Sequence, residues 1–140
     1  MILVDSGAIY ALVDKNDKNH QHAKNYYQTV VGIEILAISI PVLTEIYLLL
    51  DARLGVHYAT IFWHSVTEGV FDILELNKID IKKALEIEKK YARAGFGFVD
   101  ATCFALCEKH KISHIFTYDR KHFSIYKPTF AKSLELMPPS

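Results

Sequence analysis

Short apolar runs that stop at an acid constrain this chain more than any other feature. ILVD at 2–5 is one, HIFTYD at 114–119 is another, and ILAISI at 35–40 is a third run rich in β-branched residues. Runs of this length and composition read as buried strands. Stretches with helical character separate them. SGAIYALVD follows the first run, and a second helix is expected from about His20 to Val31 after the polar loop 14–20. Pro41 opens VLTEIYLLLDARLG and Gly55 is placed to close it. HYATIFWHSVTEG, the amphipathic IDIKKALEIEKKYARAG and FVDATCFALCEKHKI complete the helical set. VFDILEL at 70–76 reads as a strand or an extended connection, and LELM as a short last strand. Strands alternating with helices predict an α/β fold with a mainly parallel sheet, organised as one domain over 1–140.

Composition excludes several classes. The chain is 51% hydrophobic and 23% charged, which suits a globular core. Its most apolar stretch, ILAISIPVLTEIYLLL, carries Pro41 and Glu45 and is shorter than the roughly 20 residues a membrane span needs. No basic segment precedes an apolar one at the start, so neither a signal peptide nor a membrane location is expected. Two cysteines four residues apart point to a reducing, cytoplasmic setting. Lys plus Arg balance Asp plus Glu at 16 each, which argues against binding nucleic acid by bulk charge alone. The balance is uneven along the chain. Residues 1–70 hold 4 basic and 7 acidic side chains, and residues 71–140 hold 12 and 9, so a local basic surface beside an acidic one is expected.

Two metal motifs fail on geometry. Cys103, Cys107, His110 and His114 share one helical face. At about 1.5 Å of rise per residue the first and last would stand roughly 16 Å apart, whereas zinc needs every ligand within about 2.3 Å of one point. Core cysteines and incidental histidines are the expectation, as are surface or capping roles for His20 and His22. Asp14-Lys15-Asn16-Asp17 begins like a calcium loop, but Lys18 occupies the next ligand position and no loop glycine follows.

Four acids remain. Asp5 ends the first strand, Glu45 lies in the first turns of the helix after ILAISI, Asp100 opens the helix after Gly97, and Asp119 ends HIFTYD. In an open parallel sheet, strand C-termini and helix N-termini share one edge, and ligands bind there. Singly, each acid could cap a helix or sit in a turn. Capping does not explain why all four fall at the same edge. Two carboxylates about 5 Å apart repel by roughly 3 kcal/mol at an effective dielectric near 20. A hard divalent cation relieves that strain, and oxygen ligands suit Mg²⁺ or Mn²⁺. Such ions typically serve phosphoryl chemistry.

The ordered set Val4-Asp5-Ser6, Thr44-Glu45, Phe98-Val99-Asp100-Ala101 and Thr117-Tyr118-Asp119-Arg120 with Phe123 resembles the PIN-domain nucleases. More narrowly, it resembles the toxins of VapC-type toxin–antitoxin pairs. The resemblance spans nearly the whole chain, with 51–80 carrying little of it. It implies a PIN-like three-layer α/β/α sandwich and a metal-dependent ribonuclease that leaves a 5′-phosphate. Asp5 and Asp100 would be the main ligands of Mg²⁺ or Mn²⁺, with Glu45 and Asp119 completing the cluster and Ser6 and Thr117 supplying hydroxyls. It also implies a homodimer and a small antitoxin that blocks the acidic pocket. Arg53, Arg93, Arg120 and Lys121 are candidate contacts to RNA phosphates, against the reading of each as a solvated surface charge. The competing functions are a catalytically silent RNA- or partner-binding module of the same fold and a different Mg²⁺ hydrolase. Ser6-Gly7 after Asp5 lacks the second acid of the phosphatase type, and Gly95 and Gly97 lack the lysine and spacing of a phosphate loop.

Overall fold

A computed structural model of the chain describes residues 1–139. Five strands form one sheet in the order β3-β2-β1-β4-β5, with every neighbouring pair parallel. They are β1 (Ile2–Val4), β2 (Leu36–Ser39), β3 (Asp72–Leu74), β4 (His114–Phe116) and β5 (Glu135–Met137). Seven helices connect them: α1 (Ser6–Val13), α2 (His20–Val30), α3 (Ile40–Leu54), α4 (Val56–Thr67), α5 (Lys78–Lys90), α6 (Gly97–His110) and α7 (Arg120–Ile125). A 3₁₀ turn at Ala92–Ala94 precedes α6.

Sheet order sets the layers. The connections from β1 to β2 and from β2 to β3 step one way, and those from β3 to β4 and from β4 to β5 step the other way. Right-handed crossovers then place α1–α4 on one face and α5–α7 on the opposite face. Packing follows this division: α1 lies against α2 and α3, α3 against α4, and α5 against α6. The result is the three-layer α/β/α sandwich. β1 and β2 are covered on both faces and read as continuous apolar runs, whereas edge strand β3 exposes Asp72 and Ile73. Among the described residues no helix is long and apolar enough to cross a membrane.

Local chemistry explains most boundaries. Ser39 Oγ accepts from the Val42 N–H at 3.3 Å and caps α3, so Ile40 opens the helix and the strand read at 35–40 ends at Ser39. Gly55 closes α3 at φ 100°, a conformation costly for a residue with a Cβ. Asn77 and Asp80 form a reciprocal capping box on α5, with bonds of 2.9 and 3.0 Å. The same Asp80 carboxylate meets Lys109 Nζ at 3.0 Å and fastens α5 to α6.

Four segments differ from or sharpen the sequence reading. The strand expected over 114–119 ends at Phe116, because Thr117–Asp119 turns out of the sheet to cap α7, a helix the sequence reading missed. VFDILEL holds a true strand at 72–74, and the LELM run forms β5. Cys103 and Cys107 are fully buried on α6, while His110 is exposed and His114 pairs with Glu135 at 3.0 Å. The four do not converge, as the helical rise requires.

Candidate active site

The sheet order reverses at β1, and the crevice between the ends of β1 and β4 is where a parallel sheet binds ligands. Asp5 leaves β1 there, its N–H bonded to the Phe116 carbonyl at 3.0 Å. Its carboxylate does not cap α1. Instead, Oδ2 accepts the Thr117 hydroxyl at 2.9 Å, and the same Thr117 oxygen accepts the Asp119 N–H at 2.9 Å. One hydroxyl thus ties the end of β1 to the turn after β4.

Asp119 does cap its helix, with Oδ1 accepting the His122 N–H at 3.1 Å. Its other oxygen lies 3.0 Å from His122 Nδ1. Asp100, in the first turn of α6, brings Oδ2 to 2.9 Å from the same nitrogen. His122 therefore bridges two carboxylates, and its ring is held edge-on by the buried Phe96 at 5.7 Å between centroids. Glu45, one turn into α3, accepts a short hydrogen bond from Ser6. All four acids, with Ser6 and His122, line one open cavity of about 580 Å³.

Electrostatics mark the cavity as short of positive charge. Burial pushes the Asp5 carboxyl up to about 6, partly offset by the Thr117 hydrogen bond, and Glu45 and Asp119 add repulsion. Asp100 is pushed up to about 7, first by burial and then by the Asp5 and Asp119 charges, with His122 opposing. Repulsion of this kind is what a cation removes.

The structure brings together Asp5, Glu45, Asp100, Asp119, Ser6 and Thr117. Within them the tightest group is Asp100, Asp119 and His122, whose ligand atoms lie within 4.8 Å of one another. His122 escaped the sequence reading. Its signal was the i, i+3 spacing from Asp119, visible only once α7 is known to be a helix. None of the four basic candidates lines the cavity. Arg120 donates to the Leu136 and Pro138 carbonyls, and Arg53 lies 5.2 Å over the Tyr10 ring. Arg93 and Lys121 are exposed.

Fold and site together define a parallel α/β protein with an acidic cavity at its switch point. The chain belongs to the PIN-domain family, whose sequence pattern matches residues 2–128. Within that family it is similar to VapC-type proteins. It is 23% identical over 137 residues to "Ribonuclease VapC26" of Mycobacterium tuberculosis, covering 98% of this chain and all of that one. The crystal structure of M. tuberculosis VapC20, described as a sarcin-ricin loop cleaving toxin, superposes with a TM-score of 0.79 at 25% identity, covering 86% of this chain and 91% of that one. The DNA-bound VapBC structure from Salmonella typhimurium shares the fold, with a TM-score of 0.63 at 13% identity and 97% of each chain covered.

Proposed function

We propose that the chain is an endoribonuclease dependent on Mg²⁺ or Mn²⁺, and the toxin of a type II toxin–antitoxin pair acting in the cytoplasm. The observation that carries the proposal is the gathering of four acids, up to 114 positions apart in sequence, into one cavity where Asp5 and Asp100 are raised toward neutrality. Carboxylate oxygens that repel one another form a donor set that fits a hard divalent cation. Asp5 and Asp100 would hold it, with Glu45 and Asp119 alongside. When bound, such an ion neutralises charge on the reacting phosphodiester and makes water more acidic.

The chain's own residues supply the rest. Thr117 fixes Asp5 and the Asp119 backbone, Ser6 orients Glu45, and His122 holds Asp100 against Asp119. In the proposed reaction water adds to phosphorus and the P–O3′ bond breaks, leaving a 5′-phosphate and a 3′-hydroxyl. The names of the similar VapC proteins support RNA as the substrate. The VapBC assembly supports a small antitoxin as partner, placed to enter the acidic cavity with a basic side chain. A homodimer is proposed on the family resemblance.

Cleavage of a mixed RNA pool by wild type and Asp100→Asn, each with Mn²⁺, Mg²⁺ or EDTA, tests the proposal. Cutting that requires both the metal and Asp100 is expected. If neither protein cuts, calorimetric Mn²⁺ titration separates a silent binding module with an intact site from a chain without one.

A further inference from the structure

An acidic cavity repels the polyanion it is proposed to cut, so RNA must be held by flanking surface. Two of the candidate arginines are already engaged, Arg120 by β5 and Arg53 by Tyr10. A second cavity of about 560 Å³ lies between α5 and α6 and adjoins the acidic one, with Gly97 and Phe98 lining both. Phe98 is 58% exposed at this junction, two residues before Asp100. Leu85 and Ile81 continue its apolar wall, and Lys78 and Lys82 stand on the α5 side. Among the described residues neither lysine enters an ion pair. The groove's one acid, Glu88, accepts the Gly97 N–H at 3.2 Å.

Resting on the ribonuclease reading, we propose that this groove seats a single-stranded RNA nucleotide adjoining the scissile phosphate, its base against Phe98 and the neighbouring phosphates over Lys78 and Lys82. An exposed aromatic next to lysines is the arrangement by which single strands are held without regard to sequence, because every base offers a flat face. The boundary the groove shares with the cavity at Gly97 and Phe98 would put the next phosphate beside the acids. A second copy of the chain suits the groove less well. A two-fold contact through this groove would gather four lysines without ion-pair partners into one seam, with each Glu88 already engaged.

Fluorescence anisotropy of a labelled single-stranded RNA, in EDTA so that nothing is cut, tests this against wild type, Phe98→Ala, Phe98→Trp and Lys78→Gln/Lys82→Gln. Phe98→Ala is expected to bind about 5- to 50-fold more weakly, Phe98→Trp to bind like wild type, and all variants to melt within a degree or two of it. An RNA with abasic residues should bind wild type weakly and lose nothing further with Phe98→Ala. The double lysine variant should lower the slope of log K against log salt by about 1.4, or two phosphates on a single strand. Wild-type affinity in Phe98→Ala overturns the groove while leaving the ribonuclease reading intact. A light-scattering mass that falls from dimer to monomer in Phe98→Ala overturns it in favour of an interface between copies. Wild type that neither binds nor cuts RNA overturns both readings together.

Discussion

Asp5 and Asp80 are almost equally hidden, at 6% and 7% exposed, yet they are pushed in opposite directions. Burial raises both. At Asp80 the Asn77 N–H and the Lys109 ammonium outweigh it, and the carboxyl ends below its usual value. At Asp5 only the Thr117 hydroxyl and a backbone N–H oppose burial, Glu45 and Asp119 add repulsion, and the carboxyl rises to about 6. Surface exposure alone therefore says little about a carboxylate's role: Asp5 lies deeper among protein atoms than Asp80 and lacks a cationic partner, and both differences act. Asp80 is neutralised by a lysine and fastens two helices. Asp5 is given hydroxyl and amide donors but no cation, so its charge is left for something from outside the chain to balance.

Exchanging the two acids' chemistry should expose this difference most strongly in activity. Asp5→Asn or Asp100→Asn is expected to lower RNA cleavage by at least about 100-fold, whereas Asp80→Asn should leave it within about threefold, read from initial rates at saturating Mn²⁺. Next in size is the response to metal. At 100 times its dissociation constant Mn²⁺ should stabilise wild type by about 2.7 kcal/mol, seen as a higher melting temperature. Asp80→Asn should keep that gain and Asp5→Asn should lose it. The reverse ranking applies to the metal-free fold, where Asp80→Ala should cost about 1–3 kcal/mol in urea titration by leaving Lys109 and the α5 cap unpaired.

Opposite slopes with pH sharpen the contrast further. Asp5 and Asp100 bind protons more tightly folded than unfolded. The stability they contribute in EDTA is full below the ordinary carboxylate value and is lost as pH rises through about 6 and 7. Asp80, being lowered, contributes above its ordinary value and loses that contribution as pH falls. Between pH 5 and 7.5 metal-free wild type should therefore fall in melting temperature by about 3–8 °C relative to Asp100→Asn, and a rise instead would break the account. The smallest effect belongs to Ser6→Ala, which frees Glu45 and should slow cleavage by about two- to tenfold.

Much of this geometry was legible in the sequence because it is written at element ends. Asp5, Glu45, Asp100 and Asp119 sit where strands stop and helices start, and parallel topology carries such positions to one edge. What escaped was contact that no local period announces. TYD after HIF looks like more strand until Asp119 is seen to cap α7, and His122 became visible only with that helix. Lys109 and Asp80 are 29 residues apart, and no spacing rule pairs them. The two cysteines were read correctly as core, since helical rise alone forbids the zinc site. The sequence offers Arg120 as a phosphate contact or a solvated charge, and no spacing rule shows that its guanidinium faces backbone carbonyls 16 and 18 residues onward.

That last contact makes strand β5 a mechanical part of the candidate active site. Arg120 directly follows Asp119, and the oxygens it grips belong to Leu136 and Pro138 at the close of β5. The turn carrying one of the four acids is thus moored to the outermost strand. A deletion that strips β5, or a fusion that pulls it from the sheet, would slacken that mooring without touching any of the four acids. Affinity tags for this protein belong on a long spacer, and a truncated form that folds yet cuts poorly would be reporting a lost anchor.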